Sequence, residues 1–475
     1  MNEKTAQFSL RGLFQPRDLT EGTPWKTILA FALPIIISYL LQQVYTISDA
    51  AIVGQTLTAG EVAGVNDTTS IIFIFLQFAF GVSAGFCVVT AAEVGAHHEA
   101  GVRRSLAAQI LLSAALTVLL TGLALLLLKP MLAWINVTPE SPEVYRAAHT
   151  YCAIIFAGIG AQLFYNFICS FLRSMGDSVT PLLFLLFSTI LNIGLDLLFI
   201  VSFHWGVAGA AIATVLAQGI SAVLGVVYIL RGYPELRFTP RQLGAATRRA
   251  VTSMFWAGLS MGLMSAIYNL GSVALQSSIN ALGSVYITAQ TAARRLAELY
   301  FIPGGALGIG VATFSSQNLG AGRRSRIWQS VKAALAIYFV WWVFVMAFTF
   351  LLGGAAIRGI TGSTDEVIIS NALLYLKISA PVIPPMAVLV ILRNMLQGIR
   401  HTVEPLLASG LELVGKVIFA VWLVPVRGYR AVCFCEPTTW VVCFVFILLP
   451  GRFARRRKNL IFFGKRACNL EVVLL

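Results

Sequence analysis

Three polar residues in otherwise apolar surroundings have the types and spacing of an ion site: Asp49, Asn192 and Asp196. Asn192 and Asp196 are four residues apart, so on a helix they share one face. Asp196 sits well inside an apolar run bounded by Pro181 and Phe203. An ionisable group in such a run costs about 2.5–3.5 kcal/mol on insertion scales, so it calls for a function or a partner. Together with Asp49, the pair could form a carboxylate pocket for a proton or Na⁺. Carboxyl groups removed from water hold protons more tightly, and so can bind and release them near neutral pH. The structural alternative is that Asp49 hydrogen-bonds a helix end and Asp196 pairs within the core.

A second set of charges lies further along. Glu412 and Lys416 are again four apart and are expected to neutralise each other. Glu436 precedes Pro437, a kink-forming residue, which makes it a candidate cation or substrate contact or a paired anchor of the kink. Arg294, Arg295 and Glu298 cluster at the entry of a later span, as an interfacial network with Glu298 a candidate contact. Tyr39, Tyr45, Trp256, Met261, Met264 and Tyr268 are candidates to line a greasy cavity, packing and lipid contact being the alternatives. Helix breakers at Pro34, Pro381, Pro384 and Pro385 mark bends or moving parts, because broken helices at membrane depth must pack in protein or line a cavity. No phosphate loop GxxxxGK[ST] and no HExxH occurs, so neither ATP-driven transport nor a zinc hydrolase is supported. No metal and no cofactor are expected beyond a coupling ion.

The elements that must position these groups are membrane helices. Of 475 residues 58% are hydrophobic and 11% charged, against roughly 25% charged in soluble domains. Apolar runs near the ~20-residue length that crosses a bilayer fall at about 25–48, 68–92, 105–128, 148–172, 181–203 and 206–230. Six more follow at about 251–279, 285–316, 331–354, 368–394, 405–425 and 428–450. They are continuously apolar rather than alternating, which excludes barrel strands. The expected organisation is an all-α integral membrane protein: segment 1–24, a six-helix lobe 25–230, a linker 231–250, a second six-helix lobe 251–450, and a basic tail 451–475.

The two lobes repeat each other. Gly81 to Ala96 aligns without gaps on Ala306 to Ala321, and Ser174 to Leu183 on Gly398 to Leu407. Six is even, so both halves have one orientation and an axis along the membrane normal relates them. That suits a carrier working by alternating access. At the repeat offset Asn192 and Asp196 correspond to Lys416 and Ala420, so only the first copy keeps the ion-site residues. Lys and Arg concentrate at the N-terminus, the even-numbered connections and the tail, which places both termini in the cytoplasm by the positive-inside rule. The net charge of +14 is scattered over these clusters rather than forming a continuous face, so no nucleic-acid partner is expected. Seven cysteines lie mostly inside apolar runs and do not form a disulfide framework.

The sequence resembles the multidrug and toxic compound extrusion (MATE) transporters. The resemblance rests on Ser48-Asp49-Ala-Ala-Ile-Val-Gly54, Arg173-Ser-Met-Gly-Asp177 with Pro181, Asn192-x-x-x-Asp196, Gln317-Asn-Leu-Gly-Ala-Gly322, and Leu396-Gln-Gly398 with His401, Thr402 and Pro405. It implies a V-shaped pair of six-helix lobes in the cell membrane that exports drugs, metabolites and organic cations in exchange for H⁺ or Na⁺. It also implies that the N-lobe cation site maps onto Asp49, Asn192 and Asp196. Phe255-Trp256-Ala257 departs from the Gly-Leu-Pro that many members carry there, as do the basic hairpin at Arg427 and Arg430 and the tail. A monomer is expected. The runner-up functions are a lipid-linked oligosaccharide flippase of the same superfamily and, further off, an ion channel.

Overall fold

The computed structural model describes residues 16–234, 247–362 and 364–449. Most of the linker, the first 15 residues and the basic tail lie outside the described residues. Eleven helices are long and apolar enough to cross a membrane, and one bent helix pair completes twelve. Spans one to six are Pro24–Thr56, Ala59–Gly95, Glu99–Leu126, the pair Pro142–Ala157 and Ile159–Ser174, Val179–Ser202, and Gly206–Gly232. Spans seven to twelve are Arg248–Asn280, Ser284–Gly320, Arg324–Leu351, Glu366–Gly398, Val403–Arg427 and Tyr429–Leu448. Local sequence explains the boundaries. Pro24 sits at the first helical position of span one, where its missing N–H costs nothing. Thr58 and Glu61 form a reciprocal capping box at the start of span two.

The duplication extends to backbone geometry. Short helices Leu128–Trp134 and Gly353–Thr361 follow spans three and nine. Spans five and eleven both end in a π-helical stretch, Leu197–Ser202 and Phe419–Leu423. Span four bends by 47° at Gly158, and span ten breaks at the matching place, Ala380–Val382. Left-handed residues recur in matching loops as His97 and Gly322, Asn136 and Gly362, Gly176 and Arg400, Gly206 and Gly428. The prolines do not act alike. Span ten breaks at Pro381, while span one runs unbroken through Pro34, whose carbonyl accepts the Ser38 hydroxyl at 2.8 Å. Span eight runs through Pro303 with the Tyr300 carbonyl, one turn before it, taken by the Tyr338 hydroxyl and the Trp341 indole.

The lobes meet at one end and diverge toward the other, as a V. Gly81 and Gly85 on span two cross Gly258 and Gly262 on span seven, a reciprocal small-xxx-small contact that lets two backbones touch. A Cβ on Gly85 would stand 2.5 Å from the Ala257 carbonyl. Beyond it, Gly95 packs on Gln317 and Gly320 on Ala92. Span one bridges the lobes: Ile28, Phe31, Ala32 and Ile35 belong to the apolar core built mainly from spans eight to twelve. Its second half, from Tyr45 onward, packs with spans four to six. Gly85→Val is expected to cost about 1–3 kcal/mol by overpacking this seam. Gly122→Val, at a site with nothing within 4 Å, is expected to be neutral. Thermal unfolding of the purified protein reads the difference.

Candidate functional site

The N-lobe pocket is assembled from spans one, four, five and six. Asn192 and Asp196 lie one turn apart on span five and are fully buried. Asp196 is the last α-helical residue before the π-helical stretch, whose wider turn re-aims the side chains around it. Asp49 comes from span one, one turn beyond Tyr45, and its carboxyl lies within electrostatic reach of that of Asp196. Tyr45 lies 3.5 Å from the Thr214 hydroxyl of span six, and Tyr151 of span four is within electrostatic reach of both acids. Val53, Ile200 and Ala210 form an apolar floor.

The pocket is unfinished as a hydrogen-bonding system. Both carboxylate oxygens of Asp196, Oδ1 of Asp49, and the amide oxygen and nitrogen of Asn192 are buried without a partner. Among the described residues no Lys or Arg lies within ion-pair distance of either acid. Buried polar atoms are almost always paired, so a cluster of orphans asks for something that binds there. Two carboxylates in contact repel unless a proton is shared between them or a cation sits on them. Carboxylate, amide and hydroxyl oxygens are the donors a proton or a hard cation uses.

At the matching place in the C-lobe the chemistry is closed. Lys416 occupies the repeat position of Asn192, fully buried, with Nζ 3.4 Å from Glu412 and 3.9 Å from Glu436. Arg393 of span ten pairs with Glu412 at 3.1 Å, and Arg294 of span eight with Glu436 at 2.6 Å. The Tyr375 hydroxyl donates to the second oxygen of Glu436, and Lys416 donates to Ser272 at 3.3 Å. An alternating ladder of charge thus crosses the lobe. Removing one member leaves its partners buried and uncompensated, at a cost of about 3–5 kcal/mol. Glu412→Ala is accordingly expected to lower thermal stability sharply, and Arg358→Ala, from an exposed ion pair, hardly at all.

A third constellation closes the end where the lobes meet. Leu19 and Thr20, preceding span one, are 1% exposed. The Leu19 N–H donates to Gln317 and its carbonyl accepts from Asn318, both on span eight. Arg323 holds the Thr20 carbonyl, and Arg326 holds those of Glu21 and Gly22. On the other side the Arg17 N–H donates to the Gly176 carbonyl, and Gln317 donates to that of Ser174 at 2.8 Å. The segment is therefore a clasp across both lobes, and the Gln317-Asn318 motif is its C-lobe half.

The remaining expected site residues are dispersed. Glu298 is exposed on span eight, within electrostatic reach of Arg294 and Arg295 but outside ion-pair distance of either. Glu436 is fully engaged in the ladder. Tyr39 is half-buried near Gly305, Met261 is buried in the lobe seam against Gly81, and Met264 meets the Gln397 amide. Trp256 is exposed beside Phe255. Tyr268 is exposed on one side and covers the Lys416 ammonium with its ring. Tyr151, Thr214, Arg393, Tyr375 and the clasp were not singled out from sequence.

The model of the MatE family matches residues 34–198 and 260–422, one match in each half. A probable multidrug resistance protein, YpnP of Bacillus subtilis, is 30% identical over 316 residues, 65% of this chain and 68% of its own. A probable multidrug resistance protein, NorM of Thermotoga maritima, is 22% identical over 395 residues, 82% of this chain and 83% of its own. Among solved structures, a crystal structure of MATE in the bent conformation superposes with a TM-score of 0.85 at 22% identity, over 96% of this chain and 99% of that one.

Proposed function

The chain belongs to the MatE family of multidrug efflux transporters, and on that premise we propose that it is a cation-coupled antiporter exporting small organic compounds, organic cations among them. The coupling ion is H⁺ or Na⁺ and binds at Asp49, Asn192 and Asp196. The observation that carries the reading is the buried acid pair without a counter-ion. There two buried carboxylates stand without a basic partner, whereas the buried carboxylates of the C-lobe ladder, Glu412 and Glu436, are already paired.

Span one supplies a mechanical link. Its first half is packed into the C-lobe core and its second half carries Asp49 into the N-lobe pocket, with Pro34 and Ser38 between. An ion that draws Asp49 and Asp196 together acts on one half of this helix, and its other half transmits the change to the seam. The lobes then exchange the present clasped state for one open at the clasp. By the distribution of Lys and Arg, the clasp lies on the cytoplasmic side and the structure is outward-facing in the cell membrane, with both termini inside.

The test is efflux of a cationic fluorescent dye from proteoliposomes under imposed pH or Na⁺ gradients. An exporter concentrates the dye against its gradient only when the ion gradient is present. Equal dye flux in both directions without a gradient would instead indicate a channel.

A further inference from the structure

The charges of the C-lobe ladder do not balance. Arg294, Arg393 and Lys416 stand against only Glu412 and Glu436. Arg295 and Glu298, exposed on the same helix as Arg294, add one charge of each sign and leave the excess unchanged. Glu436 is occupied by Arg294, Lys416 and the Tyr375 hydroxyl, so it has no capacity left for the surplus. Lys416 is fully buried, whereas Arg294 keeps 26% of its side chain exposed. Arg294 lies ten residues into span eight, ~15 Å along it. A charged side chain that stays partly accessible at that depth faces the bundle interior or a water-filled cleft rather than lipid. Next to it, within electrostatic reach, stands Tyr268, 42% exposed, with the Lys416 ammonium 4.0 Å from its ring centroid. A flat aromatic face thus adjoins a cation with unused donors.

We infer that the C-lobe wall of the cleft binds the anionic group, a carboxylate or sulfonate, of an aromatic amphiphile, with Arg294 as docking cation and Tyr268 as the stacking surface. The N-lobe pocket has the opposite polarity, so the substrates that exploit both walls are zwitterionic. The physiological meaning of the site rests on the exporter reading above, but the binding itself does not.

The experiment compares rhodamine B, which carries a free carboxylate, with its ethyl ester, by fluorescence polarisation on the detergent-purified full chain. Wild type is expected to bind the acid about tenfold or more tightly than the ester, the scale of a hydrogen bond to a charged group. Arg294→Gln combined with Glu436→Gln removes the ion pair as a unit and leaves no orphaned carboxylate. It is expected to abolish the preference while ester affinity is retained, and Arg294→Lys is expected to keep it. Benzenesulfonate should displace the acid where benzyltrimethylammonium does not. Equal or tighter binding of the ester by wild type overturns the proposal whether or not the variants fold, and so does a double variant that still prefers the acid. Gradient-driven efflux of the ester is measured separately: its failure alongside acid-selective binding would count against the exporter and leave this site standing.

Discussion

Asp196→Asn is expected to abolish gradient-driven efflux while substrate binding persists. The amide has the shape of the protonated acid but can neither lose a proton nor neutralise a cation. In the variant the pocket loses its response to the ion, and both lobe arrangements see the same local chemistry. Coupling free energies are typically 1–3 kcal/mol, so losing the whole of one lowers the gradient-dependent accumulation ratio by about 5–150-fold. Asp49→Asn should act in the same direction, because the two acids meet in one pocket. Asn192→Ala should weaken ion affinity without removing the dependence, since both carboxylates remain. The measurement is dye accumulation in inverted vesicles at matched protein levels, with binding of the same dye read in detergent. Full gradient-driven accumulation in both acid variants would sink the assignment.

The second large effect is expected at the clasp. Gln317 alone ties three segments together, accepting from Leu19 and donating to Ser174, while Asn318 holds the Leu19 carbonyl. These bonds are buried, and each left unmade costs about 1–3 kcal/mol in the closed form only. Gln317→Ala with Asn318→Ala should therefore shift the population toward the form open at this end by ~10-fold or more. Spin labels at Ala100→Cys and Ser325→Cys, exposed on opposite lobes, read the separation. A distribution unchanged from the parent would show that the clasp follows the lobes rather than holding them. Transport should fall as well, because a carrier that lingers in one form completes fewer cycles.

Much of this architecture could be read from the chain before any coordinates. Span positions follow from apolar length, and the repeat was visible in Gly81 to Ala96 and its copy at Ala306. The face shared by Asn192 and Asp196 required only helical spacing. Other parts left no readable mark. Hydroxyls such as Tyr151 and Thr214 are common in membrane helices, so nothing distinguishes those that end in a pocket. Arg393 joins the Glu412–Lys416 pair from a different span, a long-range pairing that local spacing cannot reveal. The clasp is built on main-chain groups of Leu19 to Gly22, which carry no side-chain pattern. Span four was expected to be continuous over 148–172, yet bends at Gly158, because glycines are frequent in membrane helices and few of them kink. Proline was the inverse case: Pro34 is buried inside span one and leaves that helix unbroken.

On the proposed reading the transporter carries one ion site, in the N-lobe, with the C-lobe copy filled by its own lysine. Ion release on substrate addition tests it most directly, measured with purified protein in weak buffer with a pH indicator, or with ²²Na⁺ if pH is silent. Wild type is expected to release the ion, Asp49→Asn with Asp196→Asn to release none, and Glu298→Gln to release it undiminished. Release that survives in the double variant, or disappears in Glu298→Gln, would contradict it.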